Sequence, residues 1–266
     1  MKLRLPRAAP ALALPLLLGH ASAAGADHAE IKARGVLRVL VSADENPAWF
    51  ALRPEGPPGF EREVFEGFAR LHKLKLEAVA VERWDQAIPD LVQGKGDVIA
   101  GINDTEERRQ LIDFTAALVP SQHLVVTRKP AQPIRSLEEL RARRIAVVPG
   151  TTWAQAVAAA SVPKEQVTGF ADVDDCLEAL RSGRVGAAVM DVADFLLQRR
   201  ADPALQDGVA LGSSLRSAWG VRKTDPELRR QLDAYLVNLK LTPTWSRIVV
   251  QYFGNDALRI LGRARD

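Results

Sequence analysis

Three observations predict an α/β fold of parallel strands wrapped by helices. Short apolar runs alternate with amphipathic helical stripes along most of the chain. Several of those runs, such as Val98-Ile99-Ala100, are continuously apolar, as strands covered on both faces are. Two stretches without periodicity break the rhythm and read as connectors, one carrying prolines and the other glycines and serines.

Taken in order, the first element is a leader. Residues 1–23 place Lys2, Arg4 and Arg7 before an Ala/Leu-rich core that runs to Gly19, and then Ala21-Ser22-Ala23 fits a small-x-small cleavage site. This is expected to be a cleaved secretory signal; Ala24-Gly25-Ala26 offers a second cleavage point. Pro10 and Pro15 interrupt a core already shorter than the ~20 residues that a membrane helix needs. Strand-like runs then fall at 36–42, 76–81, 97–101, 144–148, 185–190 and 217–222. Helical patterns fall at 61–72, 86–94, 104–112, 151–160, 173–182, 191–200 and 225–239.

The stretch 84–114 is the most informative of this series. Ile88, Leu91 and Val92 form a helical stripe after Asp85, an expected N-cap, and Gly94 and Gly96 end that helix before the run at 98–100. Asn103 or Asp104 is then expected to cap a second helix, with Glu106 or Glu107 at the capping-box position. Arg108 therefore falls in a first helical turn near the carboxyl end of a strand, the edge where open α/β sheets bind ligands. Further on, 123–127 is apolar and extended, RKPAQPIRS at 128–136 reads as the first connector, and GVALGSSLRS at 208–217 as the second. Ser136 with Glu139 makes a capping box, and Asp225 with Pro226 makes an N-cap followed by proline at N1.

Composition narrows the function classes. Removing residues 1–23 takes Lys+Arg from 36 to 33 against 33 Asp+Glu, so the mature chain is nearly neutral and gives no support for a nucleic-acid partner or an anionic membrane surface. Cys176 is the only cysteine, which rules out an intramolecular disulfide. It sits in the stripe Val173, Cys176, Leu177, Leu180 and is expected in the core. With no cysteine at the cleavage point, no lipid anchor is expected, and the mature protein should be free in the periplasm.

Candidate residues follow from chemistry. Arg108 offers a planar fork that grips a carboxylate with two hydrogen bonds; its alternative is an exposed i,i+4 pair with Asp104. Arg109 is expected to face solvent. Gly150-Thr151-Thr152 follows a strand and opens a helix, where amide and hydroxyl donors can receive an anion or simply cap the turn. Asp191 ends an apolar run and starts a helix, as N-cap or as a carboxylate facing the cleft. Asp44 and Glu45 are weaker carboxylate candidates, and Trp84, Trp49 and Phe50 are candidate aromatic walls. Trp219 and Trp245 are expected to pack. No catalytic or metal constellation is evident: the histidines, His20, His28, His72 and His123, lack zinc-like spacing, and no G-x-S-x-G, P-loop or C-x-x-C occurs.

From about Gly35 to Gly254 the chain resembles family 3 of the bacterial extracellular solute-binding proteins, the largely amino-acid-binding receptors of ABC importers. The resemblance is carried by GVLRVLVSADENPAWF (35–50), GFEREVFEGFARL (59–71), the 84–114 run, SLEELRARRIAVVPGTT (136–152), CLEALRSGRVGAAVMD (176–191) and AWGVRKTDPELRRQLDAYL (218–236). Trp245 and the YFG at 252–254 also resemble the receptor-like part of lytic transglycosylases of type F.

The resemblance implies a two-lobe, type II periplasmic binding fold with two hinge crossings. Its first lobe would comprise 31–122 and 213–266 and its second 123–212. It implies a monomer without cofactor that captures a small zwitterion and presents it to importer membrane subunits. Arg108, in Thr105-Glu106-Glu107-Arg108, would hold the ligand's carboxylate together with Gly150, Thr151 and Thr152. Asp191 would pair with the ammonium and Trp84 stack on the side chain, with Trp49 or Phe50 as a second ring. Where the family usually has small hydroxyl residues before the arginine, this chain has Gly101, Ile102 and Asn103; Asn103 can still donate, whereas Asp104 would repel a carboxylate if it faced the cleft. Two alternatives remain open: a cyclohexadienyl-dehydratase-like enzyme, with Glu45 or Asp104 as the acid, and a sensor for a membrane or cell-wall partner.

Overall fold

A computed structural model describes residues 27–53 and 55–254. The leader-like segment 1–23, with His20, and the basic tail from Arg259 to Arg265 lie outside the described residues. The first half of the chain contributes β1 (Val36–Ser42), β2 (Lys75–Val81), β3 (Val98–Asn103) and the two-residue β4 (Asp113–Phe114). It then runs through β5 (Val119–Arg128) into β6 (Ile145–Val147), β7 (Val167–Gly169) and β8 (Ala187–Asp191), and returns along the 17-residue β9 (Leu205–Val221). Eleven α-helices accompany these strands among the described residues: α1 (His28–Arg34), α2 (Pro47–Phe50), α3 (Phe60–His72), α4 (Ala87–Val92), α5 (Glu106–Arg109), α6 (Leu137–Arg141), α7 (Thr152–Ala159), α8 (Val173–Arg181), α9 (Val192–Ala201), α10 (Pro226–Lys240) and α11 (Pro243–Phe253).

The strands form one sheet in the order β2-β1-β3-β9-β5-β8-β6-β7, with β4 paired to β9. Pairing is parallel at both ends, where β1 joins β2 and β3 and β6 joins β7 and β8, as the βα rhythm predicts. At the centre it is antiparallel, because β5 and β9 carry the chain from one end of the sheet to the other and back. Both expected connectors are thereby corrected in part. Residues 208–217 lie inside β9, and β5 extends through Arg128; only the remainder of 128–136 connects. Their lack of hydrophobic periodicity has a physical cause. Most residues from Gln206 to Arg216 are exposed or half-buried, so this length of β9 is held by main-chain pairing with β5 rather than by burial.

Other expectations are corrected in detail. The helix expected at 104–112 is a single turn, α5, and its cap is Thr105, whose Oγ1 accepts from the Arg108 amide, rather than Asn103 or Asp104. Asp85 sits within a 3-10 turn and pairs with Arg83 instead of capping α4. Asp225 stands at the N-cap of α10 without bonding its amides, since its carboxylate faces Arg222 at 2.7 Å. Ser136 caps α6 as expected from its pattern.

The buried hydrophobic residues fall into three clusters, the largest of which draws on both ends of the sheet. Phe65 of α3 stacks on Trp219 of β9 with ring centroids 3.9 Å apart, and Phe60 gathers Trp49, Trp245, Tyr252 and Phe253 around it. Burial of such aromatic pairs adds directional attraction to the area removed from water. Cys176 is buried on α8, and burial pushes its thiol up to about 12, so it packs as a small apolar residue.

Candidate functional site

A cavity of about 540 Å³ opens where the carboxyl ends of β1 and β3 face the amino ends of α7 and α9. The β1–α2 turn brings Asp44, Glu45 and Trp49 to its wall, and β3 and α5 bring Gly101, Asn103 and Arg108. Trp84 enters from the turn after β2. From the other side come Gly150, Thr151 and Thr152 at the start of α7, and Asp191 at the start of α9. Eleven of the twelve residues singled out from sequence thus share one cavity. Phe50 does not: its ring is fully buried, edge-on to Phe65 and beneath the Arg62 guanidinium.

Arg108 supplies the cation. Its Nη1 donates to the Asn103 carbonyl at 2.9 Å, burial lowers its pKa from the ordinary value, and no carboxylate stands within ion-pair distance of it among the described residues. The alternative pair with Asp104 is excluded. Asp104 is held by Arg109, with both contacts at 2.5 Å, and by Arg216 at 3.1 Å, which also removes the expected repulsion of an anionic ligand. A desolvated guanidinium with unused donors is a strong attractor for a carboxylate.

The turn into α7 is tied to β3. Gly150 takes φ of +80°, a left-handed conformation that lets the chain reverse into the helix. Thr151 Oγ1 is occupied locally, accepting from the Ala154 amide and donating to the Val148 carbonyl at 2.7 Å. Thr152 Oγ1 accepts from Asn103 Nδ2 at 2.9 Å, so the two sides of the cavity are bridged by a side-chain hydrogen bond. The hydroxyl and amide expected to meet a ligand are partly spent on each other.

Asp191 fills both of its sequence roles. It caps α9 by accepting from the Ala193 amide, accepts from Ser121 Oγ, and lines the cavity while 8% exposed. Burial pushes its carboxyl up to about 6 against those donors. His123 Nδ1 lies 3.8 Å from Asp191 Oδ2 without a hydrogen-bond partner, and burial pulls the imidazole down to about 4, so it is neutral at physiological pH.

Two further carboxyls escaped the sequence reading. Glu61 on α3 is fully buried and accepts from Trp49 Nε1 at 2.7 Å, Trp219 Nε1 at 2.8 Å and the Gly101 amide at 2.8 Å. Gly101 permits this approach: at φ of +56°, a Cβ there would sit 3.2 Å from the Trp49 nitrogen and 3.3 Å from Glu61. Asp194, in the first turn of α9, lines the cavity. The signal for Glu61 was present, since Glu61, Phe65 and Phe68 share the buried stripe of α3. Asp194 follows Asp191 by three residues on α9 and so lies on the same helical face. Burial pushes Glu45 up to about 8, with the Glu61 charge adding to it, and Glu61 up to about 7 against its three donors. Asp194 is raised well above the ordinary range by burial and then by Glu45, Asp191 and Glu61.

Arg108 is not among the charges acting on these carboxyls, nor they on it, so the cavity keeps its cation and its acids apart. Trp84 and Trp153, both half-buried, supply aromatic surface in the same wall. The arrangement complements a small molecule with an anionic group and a cationic group. Among the described residues, no three His, Cys, Asp or Glu side chains are grouped to hold a metal ion.

The chain is similar to known proteins over most of its length. The family model for bacterial extracellular solute-binding proteins, family 3, matches residues 37–255. A mutant of ArgBP from T. maritima is 28% identical with a TM-score of 0.75 over 85% of this chain and 99% of that one. An ancestral arginine-binding protein bound to arginine is 29% identical with a TM-score of 0.71, covering 83% and 99%. The ancestral amino acid-binding protein AncCDT-1, a precursor of cyclohexadienyl dehydratase, is 28% identical with a TM-score of 0.74, covering 85% and 98%. Among curated sequences, membrane-bound lytic murein transglycosylase F of Desulfosudis oleivorans is 26% identical over 81% of this chain and 48% of its own length. The Vibrio cholerae protein of the same name is 28% identical over 85% and 46%. The chain spans about half the length of these curated relatives.

Proposed function

Because the chain belongs to the bacterial extracellular solute-binding proteins of family 3 and has the type II periplasmic binding fold, we propose that it is a receptor that closes two lobes around a small amino-acid-like zwitterion. The lobes are 31–122 with 213–266, of which 54 and 255–266 lie outside the described residues, and 123–212, hinged along β5 and β9. Arg108 holds the carboxylate, helped by the first turn of α7; Asp191 holds the ammonium; Trp84 covers the side chain. Closure expels water and strengthens each of these contacts. The receptor is exported to the periplasm, acts as a monomer and presents its closed form to the membrane subunits of an ABC importer.

One observation carries this reading. Arg108 is a partly desolvated guanidinium in a cavity wall, with no carboxylate within ion-pair distance among the described residues. Thermal melting in the presence of individual standard amino acids tests it: a true ligand binds the folded state alone and raises the midpoint with concentration. No shift with any of them would reject the reading.

A dehydratase of the cyclohexadienyl type has one supporting observation, the Glu45 carboxyl raised to about 8, which keeps a proton available near neutrality. Asp104, the other acid considered, is bound between two arginines. Turnover of a cyclohexadienyl substrate by the purified protein, lost in Glu45→Gln, would establish that activity.

A further inference from the structure

The cavity wall holds more carboxyl groups than an α-ammonium needs. Among the described residues lining it, the basic ones are Arg83 and Arg108, and Arg83 is paired with Asp85 at 2.5 Å. Against them stand Glu45, Asp191 and Asp194, with Glu61 directly behind, and Asp44, Glu82, Asp172 and Asp174 at other points of the wall. We propose that the ligand is an amino acid with a cationic side chain, a guanidinium or second ammonium, received by Glu45 and Asp194 while Asp191 takes the α-ammonium. This rests on the receptor reading above and narrows it.

Unused hydrogen-bonding capacity selects those two carboxyls. An ionised carboxylate has about four acceptor sites. Glu61 receives three N–H donors and Asp191 two donors, whereas Glu45 receives only the Asn46 amide at 3.1 Å. Asp194 receives no hydrogen bond among the described residues. No lysine or arginine of the described chain lies within ion-pair distance of any of the four.

His123 of β5 stands beside Asp191. Its Nδ1 is buried, unpartnered and 3.8 Å from Asp191, and as a neutral imidazole it cannot supply the missing charge. This acid end is therefore left unsatisfied by the protein on both sides of Asp191. A side chain without charge would leave Glu45 and Asp194 holding their protons, whereas a cationic one pairs with their ionised forms.

Binding should therefore displace protons. The apo cluster retains protons near neutral pH, with Asp191 at about 6, Glu61 at about 7 and Glu45 at about 8. An incoming cation favours the ionised forms, so affinity should rise with pH across that range.

Calorimetry at pH 7 with L-arginine, L-lysine, L-glutamine and L-leucine, each repeated in buffers of different ionisation enthalpy, tests the proposal. The expected result is that arginine or lysine binds about tenfold or more tightly than the neutral pair, with release of about one proton. Glu45→Gln and Asp194→Asn, checked for unchanged melting, should each weaken the basic ligand about tenfold or more and reduce the proton count. Glutamine or leucine binding as tightly as the basic pair, or no proton release on binding a basic ligand, overturns this inference and leaves the receptor reading standing. Failure of all four amino acids to bind rejects the inference, and failure across the wider melting panel rejects the receptor reading as well.

Discussion

Glu61 gives the clearest case of a residue whose effect on the site passes through its neighbours. Its carboxyl gathers the indoles of Trp49 and Trp219 and the Gly101 amide at one buried point, fixing the floor of the cavity. Glu61→Ala leaves three buried donors without an acceptor, and at about 1–3 kcal/mol for each unsatisfied group the loss of folding stability should reach several kcal/mol. Denaturant melts of the variant measure this; a loss within the roughly 0.5 kcal/mol of an ordinary surface change would show that water replaces the carboxyl. Arg108, Asp191 and Trp84 were legible in sequence because each stands beside a strand end or a helix start that patterning reveals. Glu61 and Asp194 were missed: the stripe of α3 marks Glu61 as buried but not its partner Trp219, 158 positions away, and Asp194 makes no hydrogen bond among the described residues that would mark it. Phe50 was misplaced because sequence places the β1–α2 turn at the cavity but does not say which of two adjacent rings turns inward.

Among the elements, β9 and the start of α7 connect the two sides of the cavity. Periodicity exposed most of the helices and the outer strands, whereas β9 passed as a loop because its pairing with β5 needs no apolar side. Even the four-residue α5 was overextended, since its sequence continues helically until Ile112 and Phe114 are drawn into the core. Asn103 Nδ2 to Thr152 Oγ1 is a bridge between β3 and α7. Asn103→Ala removes this bridge, worth about 0.5–1.5 kcal/mol, and should shift small-angle scattering of the apo protein toward a more open form. Unchanged scattering would mean that the bridge follows closure rather than favouring it. The 3-10 turn that begins at Trp84 should report the same motion: ligand is expected to change tryptophan emission, and Trp84→Leu to lose part of both signal and affinity. Full affinity with a large loss of stability would assign Trp84 to the core.

For the whole molecule, the acidic cluster ties stability to pH. Glu45 and Glu61 have folded pKa values raised to about 8 and about 7, above those of the unfolded chain, so the folded form binds more protons between the two sets of values. Their contribution is present at low pH and lost as pH rises through the folded values. His123, lowered to about 4, acts in the opposite sense below its unfolded value of about 6.5. Above about 6.5 the carboxyls act alone, so the apo melting temperature should fall as pH is raised to 8. Glu45→Gln should flatten that dependence; an identical slope in the variant would show that Glu45 is already ionised.

The central claim is that Arg108 waits in this cavity for a carboxylate, and its direct test is calorimetry of wild type and Arg108→Ala with the ligand released from natively purified protein. A small amine carrying a carboxylate is expected, bound about 30-fold or more weakly by the variant, since truncating one partner of a buried charge pair costs about 2–5 kcal/mol. Apo melting should be unchanged or slightly raised, because Arg108 has no carboxylate within ion-pair distance among the described residues. Retained affinity in Arg108→Ala, or a ligand without a carboxylate, would contradict it.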